Sequence, residues 1–279
     1  MNERHDRFRM VLVGTRNPRN LGTAVRAMAN MGFSRLYLVN PQCDVDDDAR
    51  AAAASCYPLL DSLKICPSIV EAIADCGFVI GTTRRSGRRR RVNVGVADRA
   101  GGWLEIAEAN EVAILFGPED FGLSSHDLDY CDERVQIPTA ASDPSLNLAQ
   151  SVLLICYEIS QAEVSPQSHS KVRKLAPAGQ REGMLSSMED VLNRLEYFGT
   201  RNPEHAMAFF REMFLRATLS EEDVRMWRGV FARMLKRLGR DEEDCRARRG
   251  GPSHLENRHR DNWEGEAPTE PCTQGKRKT

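Results

Sequence analysis

The chain has 279 residues, 41% of them hydrophobic and 28% charged, enough to bury a core in one large domain or two smaller ones. No apolar run approaches the roughly 20 residues that cross a bilayer, and the opening MNERHDRF carries charge where a secretory signal needs an apolar stretch, so a cytoplasmic protein is expected. The net charge of −1 excludes a bulk electrostatic argument for a nucleic-acid partner; such an argument has to rest on local charge. The eight cysteines (43, 56, 66, 76, 131, 156, 245 and 272) stand singly, with no C-x-x-C pair. That is the pattern of reduced core thiols, not of a disulfide framework or a structural zinc site.

Phe8–Gly14 (FRMVLVG) is a short apolar run closed by glycine and reads as a first buried strand. The loop after it, Gly14 to Gly22, is not G-x-G-x-x-G and carries no P-loop lysine, which argues against a dinucleotide-binding dehydrogenase or a P-loop ATPase. Asn20 is expected to cap a helix whose apolar face is Leu21, Val25, Met28 and Met31. The same helix presents Arg26 away from that stripe, one turn beyond Gly22, whose missing side chain would leave room above the guanidinium. Two readings of Arg26 stand at this point: a group that holds a phosphate or acts on a substrate, and an ordinary solvated charge.

Further strands are expected at Arg35–Val39, Phe78–Gly81, Val112–Phe116 and Arg134–Ile137, with Ser68 capping a helix over Ile69–Cys76 and a last helix burying Leu148, Val152, Ile155 and Ile159. This β-α-β alternation predicts an α/β fold with a parallel sheet and helices on both faces. Ligands of such folds sit at the carboxyl ends of the strands, which directs attention to the loops after Gly14, Gly81, Phe116 and Ile137.

Arg84, Arg85, Arg88, Arg89, Arg90 and Arg91 fall within eight residues, on a stretch (1–160) that otherwise carries an acidic excess, 17 Lys and Arg against 21 Asp and Glu. They read either as a solvated loop or as a phosphate grip. Phe116-Gly117-Pro118-Glu119-Asp120-Phe121-Gly122-Leu123-Ser124 offers bare backbone N–H groups and a cap, suited to a cofactor lying against main chain; Glu119 is a ligand contact or a surface acid. After the fifth strand, Ser145 or Asn147 caps the following helix or serves a ligand.

Residues 163–182, rich in Ser, Pro, Gln and charge, read as a linker. Three amphipathic helices follow over 183–239: one with Met184, Met188, Val191, Leu195 and Phe198, one with Ala206, Phe209, Phe210, Met213 and Ala217, and one with Val224, Trp227, Phe231, Leu235 and Leu238 after a Ser220-x-x-Asp223 cap. They make a small C-terminal helical domain. Residues 240–279, nine basic and nine acidic with few large apolar groups, read as a disordered tail.

Three segments in this order, N-L-G-T-A-V-R (20–26), I-L-F-G-P-E-D-F-G-L-S (114–124) and I-P-T-x-x-x-x-P-S-L-N-L-A-x-S-V (137–152), resemble motifs 1, 2 and 3 of the SpoU family of RNA 2′-O-ribose methyltransferases. The resemblance covers about residues 8–160, and within the family the chain is most similar to the bacterial tRNA methyltransferases that modify cytidine or uridine 32. It implies a trefoil knot at the carboxyl side of the sheet, a homodimer, S-adenosyl-L-methionine as cofactor, tRNA as substrate and no metal. It further implies cofactor contacts from Thr82, Thr83, Arg84, Leu115, Gly117, Gly122, Ile137, Pro144, Ser145 and Leu146, and catalytic positions at Asn20, Arg26, Glu119, Ser145 and Asn147. Arg16 and the run Arg88, Arg89, Arg90 and Arg91 are the expected RNA contacts. The alternatives are 2′-O-methylation of another tRNA or rRNA ribose, and a non-catalytic RNA-binding protein on the same scaffold.

Overall fold

The computed structural model describes residues 4–83, 94–139, 146–162, 173–200 and 202–249. Seven strands pair in parallel throughout: β1 (Phe8–Val13), β2 (Arg35–Val39), β3 (Lys64–Cys66), β4 (Phe78–Thr82), β5 (Val94–Gly95), β6 (Val112–Phe116) and β7 (Glu133–Gln136). Their order in the sheet is β3-β2-β1-β6-β4-β7-β5. Around and after it lie α1 (Pro18–Asn30), α2 (Asp47–Ala53), α3 (Pro58–Asp61), α4 (Ile69–Ala72), α5 (Val96–Ala107), α6 (Ser125–Leu128), α7 (Leu148–Gln161), α8 (Ala178–Arg194), α9 (Pro203–Arg216) and α10 (Glu221–Arg249). The five expected strands are present within a residue or so of their predicted ends. The two additional strands sit at the sheet edges and hold three and two residues, too few for a period to register.

Alternate residues of the central strands enter different cores, as the pleat requires. Phe8, Met10, Leu12, Ile114 and Phe116 join residues of α1, α5 and α7 on one face, while Val11, Val79, Ala113 and Leu115 join Ile69, Ala72 and Leu128 on the other. Burial on both faces explains why these strands read as continuous apolar runs. Arg9 is the exception within β1. It is 1% exposed, donates from Nη1 to the Ala72 carbonyl at 2.5 Å and from both Nη atoms to Asp75 at 2.6 and 2.7 Å, and lies 4.1 Å from the Tyr37 ring centroid. Those hydrogen bonds hold the Asp75 carboxyl below its ordinary value.

Helix α1 begins three residues earlier than expected. Its cap is Asn17, whose side chain accepts from the Arg19 N–H at 2.9 Å, with Pro18 at the first helical position, where a missing N–H costs nothing. Asn20 therefore lies inside the first turn and its amide is available for tertiary contact. Gly22 also has a different role from the one expected. A Cβ there would stand 2.1 Å from the Ala49 carbonyl oxygen and 2.8 Å from the Ala52 Cβ, so the glycine admits α2 against α1 and does not make room above Arg26.

Helices α8 to α10 enclose a third core that includes Met184, Leu185, Met188, Val191, Met207, Phe214, Val224 and Phe231. In α9 the buried face is turned from the expected one: Met207, Phe214 and Leu215 are buried, whereas Phe209 and Met213 are exposed. Leu195, expected on the buried face of α8, lies just past its end and is exposed. The predicted linker is structured from its last residues onward. α8 starts at Ala178, where Ala178 N–H donates to the Cys76 carbonyl at 2.8 Å and Gly179 N–H to that of Ala74 at 3.0 Å. Ser220 and Asp223 cap α10 reciprocally, as the sequence predicts, and its backbone is helical to Arg249, past the boundary expected at 239. Residues 1–238 form one compact unit. Among the described residues no helix is long and apolar enough to cross a membrane. The segments 84–93 and 140–145, next to the carboxyl ends of β4 and β7 where the knot is expected, lie outside the described residues.

Candidate active site

The carboxyl ends of β1, β4, β6 and β7 meet on one side of the sheet. The register pairs Leu12 with Phe116, so the loops leaving β1 and β6 start side by side: a Cβ on Gly14, whose φ is +61°, would stand 3.1 Å from Pro118 Cγ. The second loop then closes on itself. Gly122 N–H donates to the Pro118 carbonyl at 2.9 Å, Gly122 has φ +68°, and a Cβ on Gly117 would lie 2.1 Å from the Gly122 carbonyl carbon and the Leu123 nitrogen. Gly117 is thus required by the loop's own closure. Ser124 and Asp127 cap the short α6 reciprocally, which fixes the far end of the loop.

Glu119 sits at the turn of this loop and gathers three donors. Its carboxylate accepts from the backbone N–H of Arg16 at 3.2 Å, from that of Asn17 at 3.4 Å and from Asn20 Nδ2 at 3.0 Å. Asn20 Oδ1 in turn accepts from Asn147 Nδ2 at 2.9 Å. Asn147 Oδ1 is occupied by the Ala149 N–H at 2.8 Å, and the Asn147 backbone N–H by Gln150, in a capping box that starts α7. Each amide orientation follows from its neighbour: the cap fixes Asn147, Asn147 fixes Asn20, and the chain of donors ends on a carboxylate, which can only accept. Three segments far apart in sequence are tied at one point, where Asn147 both caps α7 and donates to Asn20.

A cleft opens beside this relay. Of the residues expected to meet a cofactor, Thr82, Thr83, Gly117, Gly122, Ile137 and Leu146 line it. Leu115 does not: its side chain is fully buried in the core, and its carbonyl accepts from Thr82 Oγ1 at 2.9 Å. Arg84, Pro144 and Ser145, and the run Arg88, Arg89, Arg90 and Arg91, lie outside the described residues. Arg26 is exposed on α1 and makes no hydrogen bond or ion pair among the described residues, so the structure does not join it to the relay. Arg16 is at the rim, paired with Asp120 at 2.5 Å.

Among the lining residues to which the sequence assigned no site role are Val135, Leu148 and Ser151. Val135 and Leu148 supply apolar floor, and Ser151 a hydroxyl. The pleat of β7 and the helical period of α7 carry that information once the cap at Asn147 is known. Nearby, burial pushes the Cys43 thiol up, and the Glu119 and Asp46 carboxylates push it further, which disfavours a thiolate there at neutral pH. Among the described residues no group of three His, Cys, Asp or Glu side chains is placed to hold a metal ion. What the arrangement offers is a cleft lined by main chain and apolar side chains, beside a fixed array of amide and carboxylate groups, which suits orientation and electrostatic stabilisation.

The model of the SpoU rRNA methylase family matches residues 7–157, which span the whole sheet and all three segments of the relay. The chain belongs to this family. Beyond the SpoU region, residues 179–243 match the C-terminal domain of the tRNA methyltransferase TrmJ. The SpoU chain is 33% identical over 243 residues to the tRNA (cytidine/uridine/adenosine-2′-O-)-methyltransferase TrmJ of Pseudomonas aeruginosa, covering 83% of this chain and 95% of that one. It is 32% identical over 235 residues to the tRNA (cytidine/uridine-2′-O-)-methyltransferase TrmJ of Photorhabdus laumondii, with 83% and 98% covered. The crystal structure of TrmJ from Z. mobilis superposes with a TM-score of 0.73 at 28% identity, over 81% of this chain and 98% of that one.

Proposed function

We propose that this SpoU enzyme transfers a methyl group from S-adenosyl-L-methionine to a ribose 2′-hydroxyl of tRNA, at cytidine or uridine 32 of the anticodon loop, and works as a homodimer with a trefoil knot at the carboxyl side of the sheet. The observation that carries this reading is the Asn20–Glu119–Asn147 relay beside the cleft. The cleft residues fit the cofactor: main chain at Gly117 and Gly122 approaches without side-chain cover, Val135, Ile137, Leu146 and Leu148 give an apolar floor for a purine, and Thr82 and Thr83 add hydroxyls. When bound there, S-adenosyl-L-methionine supplies an electrophilic methyl group.

The chain's own residues have two tasks, to place the ribose in line and to ease loss of its hydroxyl proton. The amides of Asn20, held by Glu119, and of Asn147, held by the α7 cap and by Asn20, position polar groups of the nucleotide. Arg26, exposed and without an ion-pair or hydrogen-bond partner among the described residues, is placed to reach the cofactor site of a second protomer. A guanidinium stays protonated at neutral pH, so its contribution is to stabilise the developing alkoxide or to anchor the adjacent phosphate, not to accept the proton as a free base. A lysine at 26 then spares binding and lowers the rate, since an ammonium lacks the planar fork.

An RNA partner is supported by local charge. Along α10, Arg225, Arg228, Arg233, Lys236 and Arg237 are all exposed, no Asp or Glu occurs between Val224 and Leu238, and none of the five forms an ion pair among the described residues. Changing Arg225, Arg228 and Arg233 to Ser is expected to weaken tRNA binding and lower the salt slope by about one per lost phosphate contact, with cofactor affinity unchanged. The function itself is tested by mapping 2′-O-methyl groups in tRNA and rRNA from cells with and without the gene. Loss of the mark at nucleotide 32 supports the reading; loss at a different tRNA or rRNA ribose replaces the substrate, and no change together with no binding of S-adenosyl-L-methionine favours a non-catalytic RNA-binding protein.

A further inference from the structure

Phe121 is 63% exposed at the mouth of the cleft, two residues from Glu119. Scattered exposed apolar groups are ordinary on protein surfaces, and most of the others here have neighbours of their own kind at helical spacing, as do Leu153, Leu154 and Tyr157 on α7 and Met226, Val230 and Met234 on α10; the rest, including Tyr57, Ile65, Leu195 and Tyr197, do not line the cleft. Phe121 stands in a loop. Its backbone is not free to tuck the ring away, because the turn is closed by Gly122 N–H to the Pro118 carbonyl, anchored at Glu119 by the N–H groups of Arg16 and Asn17, and continued by the left-handed Gly122. Beside the ring is a cation: the Arg16 guanidinium carbon is 5.9 Å from the ring centroid, its side chain is half-exposed, and Asp120 holds it there through Nη1 at 2.5 Å. A rigidly presented aromatic face and an adjoining guanidinium, both next to the relay, match the chemistry of a nucleotide, which has one flat apolar face and one phosphate.

Building on the ribose-methylation reading, we propose that Phe121 and Arg16 form the platform for the target nucleotide: the ring stacks on its base and the guanidinium takes the adjacent phosphate, which presents the ribose between them to the relay. Extruding a base from the anticodon loop costs stacking that must be replaced at the protein, and a preformed ring replaces it without ordering a side chain on binding. Stacking reads the face of a base and not its hydrogen-bonding edge. The platform therefore does not discriminate between cytidine and uridine, and any such discrimination lies with other residues.

The test measures methyl transfer to tRNA transcripts bearing cytidine or uridine at the target position, alongside calorimetric affinity for S-adenosyl-L-methionine, for the full chain and for Phe121→Leu, Phe121→Trp and Arg16→Met. The expected result for Phe121→Leu is a fall in kcat/KM of about tenfold or more on both transcripts alike, in keeping with the contribution of one base–aromatic stack. Phe121→Trp is expected to keep the activity, and cofactor affinity to stay within about twofold, as a stacking role removed from the cofactor requires. Arg16→Met is expected to lower the salt slope of tRNA binding by about one. Phe121→Leu with unchanged kcat/KM overturns the platform while leaving the methylation reading intact, and so does a loss that falls on cofactor affinity, since the ring then covers the cofactor. Absence of methyl transfer by the unsubstituted protein overturns the methylation reading and this proposal with it.

Discussion

Replacing Arg181 by Met is expected to be among the most damaging single changes outside the site. Arg181, on α8, and Asp132, just before β7, are both nearly inaccessible, with 6% and 2% of their side chains exposed, and they pair through two bonds of 2.6 and 3.0 Å. Asp132 Oδ2 also accepts from the Val79 N–H at 2.9 Å. Methionine has similar length, so little cavity is created; what remains is a buried carboxylate with a single backbone donor. Breaking a buried pair from one side costs about 3–5 kcal/mol. For a compact unit of this size, each kcal/mol lowers Tm by roughly 2–4 °C, so a fall on the order of 10 °C is expected in thermal unfolding followed by circular dichroism. Adding Asp132→Asn removes the stranded charge while keeping an acceptor for Val79, and the double variant is expected to recover more than half of the loss. A Tm within about 2 °C of the original for Arg181→Met, or a double variant less stable than the single one, would refute the reasoning.

Three further changes probe other parts of the structure. Asn20→Ala cuts the relay at its centre and is expected to lower kcat for tRNA methylation by about tenfold to a hundredfold, the order that follows loss of substrate positioning, with cofactor affinity within a fewfold; unchanged kcat in steady-state assays would remove Asn20 from the mechanism. Gly22→Ala ordinarily stabilises a helix by about 1 kcal/mol, but here the new Cβ meets the Ala49 carbonyl at 2.1 Å, so overpacking is expected to reverse the sign and cost about 1–3 kcal/mol; a higher Tm would contradict the packing described. Asp75 titrates below its ordinary value of 3.8 because Arg9 donates to it. Its contribution is therefore fully present above that pH and is lost as the pH falls through the lowered folded-state value. The stability advantage of the original chain over Asp75→Asn should accordingly shrink below about pH 4 in acid titrations, and an advantage constant down to pH 2 would count against the pairing.

The sheet was legible because its central strands are buried on both faces, which writes Met10 to Val13 and Val112 to Phe116 as unbroken apolar runs. α5 has a weak signature in the sequence for a local reason: Gly101 and Gly102 interrupt it and no side chain caps it, although Trp103 in its middle is fully buried. α9 was legible as a helix but not in its rotation, since Phe209, Phe210, Met213, Phe214 and Leu215 put apolar groups nearly all the way round, and only tertiary contact chooses among them. In the site, motif order points to Asn20, Glu119 and Asn147 together, and hydrogen bonds join them, yet the cap lies three residues before Asn20. Asn17, Pro18 and Asn20 all carry helix-start chemistry, and which asparagine caps depends on where Glu119 lies, a contact across 99 residues. Arg9 shows the opposite limit: a charge in the middle of an apolar run gives no sign by itself of the Asp75 carboxylate and Tyr37 ring that make its burial tolerable.

Because Asn147 holds the first turn of α7 with one end of its amide and Asn20 with the other, the lifetime of the site is bounded by the fraying of a helix end. Whenever that first turn opens, Asn20 loses the donor that orients it, however well the rest of the sheet is packed. The Ala149 amide hydrogen, bonded to Asn147 Oδ1, is thus a clock for the site: the rate of its exchange with solvent follows the fraction of time for which the relay is open. A ligand that occupies the cleft against Leu146 and Leu148 should slow that clock, whereas heating should quicken it well before the core of the sheet begins to open.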